Sequence, residues 1–161
     1  MKILVVSDTH RRDDNLKLLI ERYKPIDMLI HLGDAEGSEM FIPDWVNPGC
    51  RMEMIQGNND FFSMLDKERE ITLGRHRVFL THGHYYGVST GPEGLADEAR
   101  SRGCDIAMFG HTHKPYQNVI GGVLLLNPGS LSYPRQEGRL PAYMLVNVDD
   151  KGELTYEQKY L

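Results

Sequence analysis

Short apolar runs recur along the chain, and each leads directly into polar residues. Residues 3–6 lead into Ser7, Asp8, Thr9 and His10; residues 28–32, interrupted by His31, lead into Gly33 and Asp34. Residues 52–55, interrupted by Glu53, precede Gly57, Asn58, Asn59 and Asp60, and residues 78–80 precede Thr81, His82, Gly83 and His84. Residues 106–109 precede Gly110, His111, Thr112 and His113, and residues 123–126 precede Asn127, Pro128, Gly129 and Ser130. Runs of this length and continuity predict strands covered on both faces. Between the first two, Leu16, Leu19, Ile20 and Tyr23 recur at helical spacing, with Asp13 or Asp14 as N-cap and Pro25 just beyond the end. Leu95, Ala96 and Ala99 form a second apolar stripe, closed by Gly103. The opening therefore reads as strand–helix–strand.

The later chain has a different rhythm. Residues 71–73 and 76–80 flank Gly74-Arg75, and residues 118–120 and 123–126 flank Gly121-Gly122, a pair suited to a tight hairpin turn. Residues 142–148 and 153–161 make a third antiparallel pair across 149–152. The predicted fold class is mixed α/β: parallel βαβ material first, antiparallel strands later, and two sheets packed face to face with helices outside.

The chain has 161 residues, 25% charged and 40% hydrophobic, which is ordinary for a soluble globular protein. A chain of this length buries roughly 70% of its unfolded surface, enough for one core, so residues 1–161 are expected to form a single domain. No apolar run approaches the roughly 20 residues needed to span a bilayer, and the opening run is too short for a secretory signal. Cys50 and Cys104 lie far apart in sequence and form no C-x-x-C pair, so reduced thiols and a cytoplasmic location are expected. The formal net charge of −5 argues against a broad nucleic-acid footprint. It leaves room for a local positive site built from bound metal ions.

The polar clusters carry the chemistry. Functional loops of open α/β sheets gather outside the carboxyl ends of the strands. Here those loops hold Asp8, His10, Asp34, Asn58, His82, His111 and His113. Carboxylate, carboxamide and imidazole without thiolate suit Mn, Fe, Zn, Co or Ni. These residues are too many for one tetrahedral zinc, and they suit two ions sharing a bridging carboxylate. Each cluster alone has a plainer reading: Asp8 to His10 as a strand end and helix cap, Gly33-Asp34 and Gly57 to Asp60 as turns, and the two H-x-H pairs as surface histidines. Their joint occurrence in chain order, each directly after a predicted strand, favours the metal reading.

With those residues in view, the sequence resembles the calcineurin-like metallophosphoesterase superfamily, whose pattern runs D-x-H, G-D, G-N-x-D/E, a histidine-glycine loop and G-H-x-H. The match extends from Asp8 to His113. The segment 126–130, followed by Tyr133, Pro134 and Arg135, resembles the small bacterial and archaeal phosphodiesterase branch (YfcE-like). The resemblance implies a four-layer αββα sandwich with a two-metal centre at one end. It implies one ion on Asp8, His10 and His113, another on Asn58, His82 and His111, and Asp34 bridging them. His84 is the alternative to His82 in its loop. His31 and His76 lie outside the motifs and are expected to be structural. Asn127 and Ser130 are expected to support the site, whereas Arg135 either meets a second anionic group of the substrate or lies on the surface.

The function implied is a phosphodiesterase dependent on two divalent ions, manganese preferred, in which a water between the ions loses a proton near neutral pH and attacks phosphorus in line. Asp34, Asn58 and His82 would then carry catalysis through the metal centre. Many superfamily members place a leaving-group acid, a histidine, where this chain has Asn59, and an Asn side chain cannot titrate as an acid at neutral pH. Leaving groups that depart readily as anions are therefore expected to be preferred.

Two rivals stand beside this reading. The retromer scaffold subunit resembles the same fold and binds partner proteins, so a scaffold with weak or no catalysis is one alternative. A nucleotide or oligonucleotide hydrolase is the other; net acidity weighs against it, and no stable nucleic-acid complex is expected. A small phosphoester is the expected partner, an oligomer is left open, and no membrane is expected. Specificity falls to the loops at 36–45, 85–93 and 133–138, where Trp45, Phe61, Tyr85 and Tyr86 either stack on a base or pack structurally.

Overall fold

A computed structural model describes residues 1–161. The strands are β1 (Lys2–Val6), β2 (Met28–His31), β3 (Arg51–Met54), β4 (Glu68–Leu73), β5 (His76–Thr81), β6 (Ile106–Met108), β7 (Pro115–Ile120), β8 (Val123–Pro128), β9 (Ala142–Val148) and β10 (Leu154–Tyr160). Helix α1 spans Asp14–Tyr23 and α2 spans Glu93–Ser101, with single 3-10 turns at Ser38–Met40, Ile42–Asp44 and His84–Tyr86. One sheet runs β10-β9-β1-β2-β3 and the other β4-β5-β6-β8-β7. In the first, β1, β2 and β3 are parallel and β9 and β10 antiparallel. In the second, β5, β6 and β8 are parallel, with antiparallel edges β4 and β7.

Period-two alternation explains the layers. Ile3, Val5, Met28 and Ile30 from the first sheet pack with Val78, Leu80, Ile106 and Met108 from the second in one buried cluster between the sheets. The intervening Leu4, Val6 and Leu29 face outward and are covered by Leu16, Leu19 and Ile20 of α1. On the other flank, Phe79, Ala107 and Leu125 are covered by Leu95, Ala96 and Ala99 of α2. The expected αββα sandwich is therefore the observed fold. Continuous apolarity in β1, β2 and β6 follows from that geometry, because both faces of each strand are dry.

The hairpin turns also match their residues: Gly121 and Gly122 sit at φ 56° and 82°, the two left-handed positions that a type I′ turn requires. The N-cap expectation for α1 holds in position but not in its hydrogen bond. Asp13 stands at the N-cap of α1, yet its side chain makes no cap hydrogen bond. Its carboxylate instead accepts from Ser38 Oγ at 2.6 Å, tying the helix entry to the loop after β2.

Glu53, the polar interruption of β3, is buried and is held by Arg51 of its own strand and Arg69 of β4, each at 2.5 Å. Both strands are edges, so this ion pair joins the margins of the two sheets. A buried carboxylate is tolerated there because both of its oxygens are paired. No helix is long and apolar enough to cross a membrane.

Ile30 is completely buried between the sheets. Ile30→Ala is expected to lower unfolding free energy by about 2–5 kcal/mol in urea titration of the full chain, with the m-value unchanged.

Candidate metal centre

The loops following β1, β2 and β3 meet those following β5 and β6 at one rim of the sandwich, and all seven residues singled out from the sequence converge there. Five of them are forced into the left-handed backbone region: Asp8 at φ 55°, His10 at 46°, Asp34 at 59°, His111 at 69° and His113 at 59°. Side chains reach that region at a cost of about 1–3 kcal/mol each, and such strain concentrates at functional sites. Gly57 and Gly110 permit the close approach of the loops. A Cβ on Gly57 would collide with Asp34, and one on Gly110 would collide with Ser7 and Asp8.

His113 Nε2 lies 3.2 Å from Asp8 Oδ1 and 3.2 Å from His10 Nε2. His82 Nε2 lies 3.4 Å from Asp34 Oδ2 and 3.8 Å from Asp8 Oδ1. Asp8, His10 and His113 form one group able to hold a metal ion, and Asp8, Asp34 and His82 form another. Asn58 Oδ1 is 3.0 Å from both His82 Nε2 and His111 Nδ1, completing the second side of the site. Asp34 Oδ2 faces one imidazole from each side, at 3.8 Å from His10 and 3.4 Å from His82.

The orientation of these groups is set from behind. His82 Nδ1 donates to Leu32 O at 2.6 Å and His113 Nδ1 donates to Tyr133 O at 2.7 Å. Each ring, once neutral, therefore turns an Nε2 lone pair inward. The inward faces of Asp8, Asp34 and Asn58 are lone pairs as well. Asp8 Oδ1 is buried with no hydrogen-bond partner. Acceptors facing acceptors in a buried space require protons or cations between them. The donor set and the orphaned oxygen fit divalent ions.

Charge follows the same logic. Burial opposes ionisation of Asp34, yet His82 and the Asn59 amides outweigh it and hold the carboxyl well below the usual range. Asp8 is likewise lowered against the effect of burial, by His113 and His82. Burial would depress the His82 imidazolium, but Asp34 and Asp8 raise it to about 9. In the absence of a cation a proton fills the role on His82. His111 and His84 are lowered, first by burial and then by the His82 charge.

Several residues acquire roles that spacing alone did not assign. Asn59 donates its backbone N–H to Asp34 Oδ1 and its side-chain amide to Asp34 Oδ2, both at 2.8 Å, so it orients that carboxylate. Asp60 accepts the backbone N–H groups of Asp34 at 2.8 Å, Glu36 at 2.6 Å and Gly57 at 2.7 Å. Its place in G-N-x-D was the one signal of this clamp. His84 lies outside both metal groups, with its ring centroid 5.4 Å from that of His82 and 4.1 Å from that of Tyr85.

Asn127 donates to Gly110 O at 2.9 Å and Thr112 Oγ1 at 3.1 Å, bracing the His111–His113 loop. Ser130 Oγ donates to Asp8 O at 2.8 Å. Of the aromatics, Trp45 packs on the α1 layer and Tyr86 against Phe79, while Phe61 and Tyr85 are exposed. His76 pairs with Asp105 at 2.7 Å, away from the site.

The residues and their order match the family model for the calcineurin-like phosphoesterase superfamily domain across residues 1–151. The chain belongs to that superfamily. Membership implies divalent metal ions, and the two groups described above are the candidate ligands. The chain is 29% identical over 152 residues to the probable metallophosphoesterase YsnB of Bacillus subtilis, covering 93% of this chain and 86% of that one. It is 27% identical over 171 residues to the phosphodiesterase YfcE of Escherichia coli, covering 92% of this chain and 89% of that one. Among solved structures, Vps29 of Entamoeba histolytica, complexed with zinc, shares the fold with a TM-score of 0.76 at 23% identity, covering 99% of each chain.

His31, at the end of β2, shows how the buried rim responds to acid. Its Nδ1 accepts from Gly33 N–H at 3.2 Å and its Nε2 faces Thr9 Oγ1 at 2.9 Å. Burial dominates and lowers its pKa from 6.5 to about 4. The unfolded chain therefore binds a proton on His31 before the native state does, so stability falls as pH drops from 6.5 towards 4. The displacement corresponds to about 3 kcal/mol. In urea titrations between those pH values, wild type is expected to lose about that much more stability than His31→Gln.

Proposed function

We propose that this protein is a phosphodiesterase that works with two divalent ions, one on Asp8, His10 and His113 and one on Asn58, His82 and His111, with Asp34 shared between them. The observation that carries the reading is the position of Asp34 Oδ2, which faces His10 Nε2 at 3.8 Å on one side and His82 Nε2 at 3.4 Å on the other. Asp8 is common to both geometric groups, and Asp34, a member of the second, reaches towards His10 of the first, which supports these two carboxylates as the seam between the ion sites. The likeness to YfcE, named a phosphodiesterase, supports the substrate class.

When bound, such a pair of ions acts as a Lewis acid on phosphoryl oxygens and brings the pKa of water near 7. The protein does the rest. Asp34, held at both oxygens by Asn59, fixes the separation of the two halves. Asn58 contributes a neutral oxygen, which ligates without cancelling cationic charge. His82 and His113, locked by backbone carbonyls, keep their Nε2 atoms inward without needing to reorganise during turnover.

Asn59 offers no titrating proton, and its amide is committed to Asp34. General-acid help is worth about 10²–10⁴-fold, so aryl diesters and phosphoanhydrides are the favoured substrates. Manganese is the preferred ion, and the same oxygen and nitrogen donors also suit Fe, Ni, Co and Zn. Two free thiols, Cys50 and Cys104, support a cytoplasmic setting. The partner is a small phosphoester, with the whole of 1–161 acting as one domain.

With bis(p-nitrophenyl) phosphate and manganese, Asp34→Asn is expected to abolish turnover while circular dichroism stays that of wild type. Undiminished turnover in the variant overturns the shared carboxylate. Absence of turnover in wild type with every divalent ion, together with a stable metal-free fold, makes the chain a binding scaffold instead.

Metal loading is also expected to release protons, because His82, with its pKa raised to about 9 in the metal-free site, must lose its proton to present Nε2. Manganese affinity should therefore rise with pH between 6.5 and 9. Calorimetric titration at pH 7.5 in two buffers of different ionisation enthalpy should report release of about one proton per chain.

A further inference from the structure

A cavity of about 810 Å³ opens directly beside His10 and His113, walled by Tyr133 and Pro134 and bearing Arg135 and Arg139. Several arginines on the protein surface are matched to carboxylates, among them Arg77 to Glu70, Arg100 to Asp97, and Arg102 to Glu68 and Glu98. Arg135 and Arg139 have no ion pair, and neither guanidinium donates a hydrogen bond to the protein. The one carboxylate lining the cavity, Glu36, faces His10 Nδ1 at 3.5 Å. Two positive charges therefore stand free at the mouth of a site in a chain whose formal net charge is −5.

The loop that carries them is built rather than loose. Arg135 N–H donates to His113 O at 3.0 Å, which ties the first arginine to a candidate metal ligand. Tyr133 N–H donates to Ser130 Oγ at 2.8 Å, and the Tyr133 ring meets the His10 ring edge-on with centroids 5.3 Å apart. Gln136 Nε2 donates to Leu140 O at 2.7 Å, and Arg139 N–H donates to Gln136 O at 3.0 Å. Arg139 itself sits at φ 46°, a left-handed backbone that an arginine rarely adopts. Strain of that kind persists where the surrounding structure over-determines it, and such positions cluster at ligand clamps.

We infer that this cavity is the subsite for a second phosphate on the substrate, with Arg135 and Arg139 as its specificity-determining residues. Guanidinium forks match phosphate oxygens in charge and geometry, and they retain their charge at any working pH. The scissile phosphodiester then lies at the metal centre, and the arm reaching over His10 and His113 carries a phosphate monoester. Neutral-armed diesters would be hydrolysed without using the subsite. The inference rests on the proposed phosphodiesterase reading for the placement of the scissile group, but its test reads binding.

The test is calorimetric titration of the manganese-loaded full chain with thymidine 5′-monophosphate and with thymidine 3′,5′-bisphosphate. Wild type is expected to bind the bisphosphate about tenfold or more tightly, the increment of a charge-assisted hydrogen bond. Arg135→Ala and Arg139→Ala should each erase most of that preference, while binding of the monophosphate changes less than about threefold. Equal affinities in wild type, or a preference that survives both substitutions, overturns the subsite. A paired assay separates the two readings. In wild type, equal affinity for the two nucleotides with hydrolysis of bis(p-nitrophenyl) phosphate refutes the subsite alone, and a preference for the bisphosphate without hydrolysis under any divalent ion refutes the phosphodiesterase.

Discussion

The rim of this sandwich is organised around an electrostatic constraint. Two buried carboxylates, a carboxamide oxygen and several imidazole lone pairs point into a shared space, and the protein places few donors among them. Asp8 Oδ1 accepts no hydrogen bond and faces the inward Nε2 atoms of His113 and His82. An arrangement of that kind is unfavourable without positive charge, since a buried acceptor left unpaired costs about 1–3 kcal/mol and an unpaired charge costs more. Protonation of His82 relieves part of it, and divalent ions relieve it more completely. The backbone strain at Asp8, His10, Asp34, His111 and His113 points the same way, because several unfavourable conformations are retained together at one place.

The fold makes that concentration possible by keeping the strain out of the core. Parallel strands β1, β2 and β3 deliver three loops to one rim, and β5 and β6 deliver two more from the facing sheet. The sheets are fixed by a dry interior of Ile, Val, Leu and Met, so the loops inherit a rigid base. Small residues then let them touch. The contact of Gly57 with Asp34 and of Gly110 with Ser7 and Asp8 brings the halves closer than any side chain would allow. Asp60 and Asn127 finish the work by satisfying backbone groups of the incoming loops.

Much of this was legible in the residues. Period-two and period-3.6 patterns located the strands and both helices, because a strand dry on both faces and a helix with one dry stripe leave different spacings. The site was legible as a set: carboxylates, Asn58 and histidines placed after successive strands announce convergence once the topology is parallel. What escaped was whatever depends on three-dimensional approach. Asp13 takes the N-cap position of α1, but its carboxylate accepts from Ser38 in the loop after β2 rather than from the helix N–H groups. Asn59 stood out by the acid it lacks, and its actual occupation, two hydrogen bonds to Asp34, is a relation between loops 25 residues apart. The choice between His82 and His84 likewise turned on which ring faces Asp8 and Asp34, which spacing within one loop cannot decide.

Asn59 also links the architecture of the site to its chemistry. A histidine there could serve as an acid for the leaving group, whereas the asparagine commits its side-chain amide to Asp34 Oδ2. The chain thus holds Asp34 rigidly and gives up proton donation from the Asn59 side chain. Such an exchange suits substrates whose leaving groups are already good anions, for which a proton adds little and precise placement of the phosphorus adds much. Placement then depends on the substrate's remaining charge, and the free guanidinium groups beside His10 and His113 stand where a charged arm would be read. If two divalent ions are held there as proposed, they and the guanidinium groups of Arg135 and Arg139 would form one positive surface in an acidic protein, extending from the candidate metal centre to the neighbouring cavity.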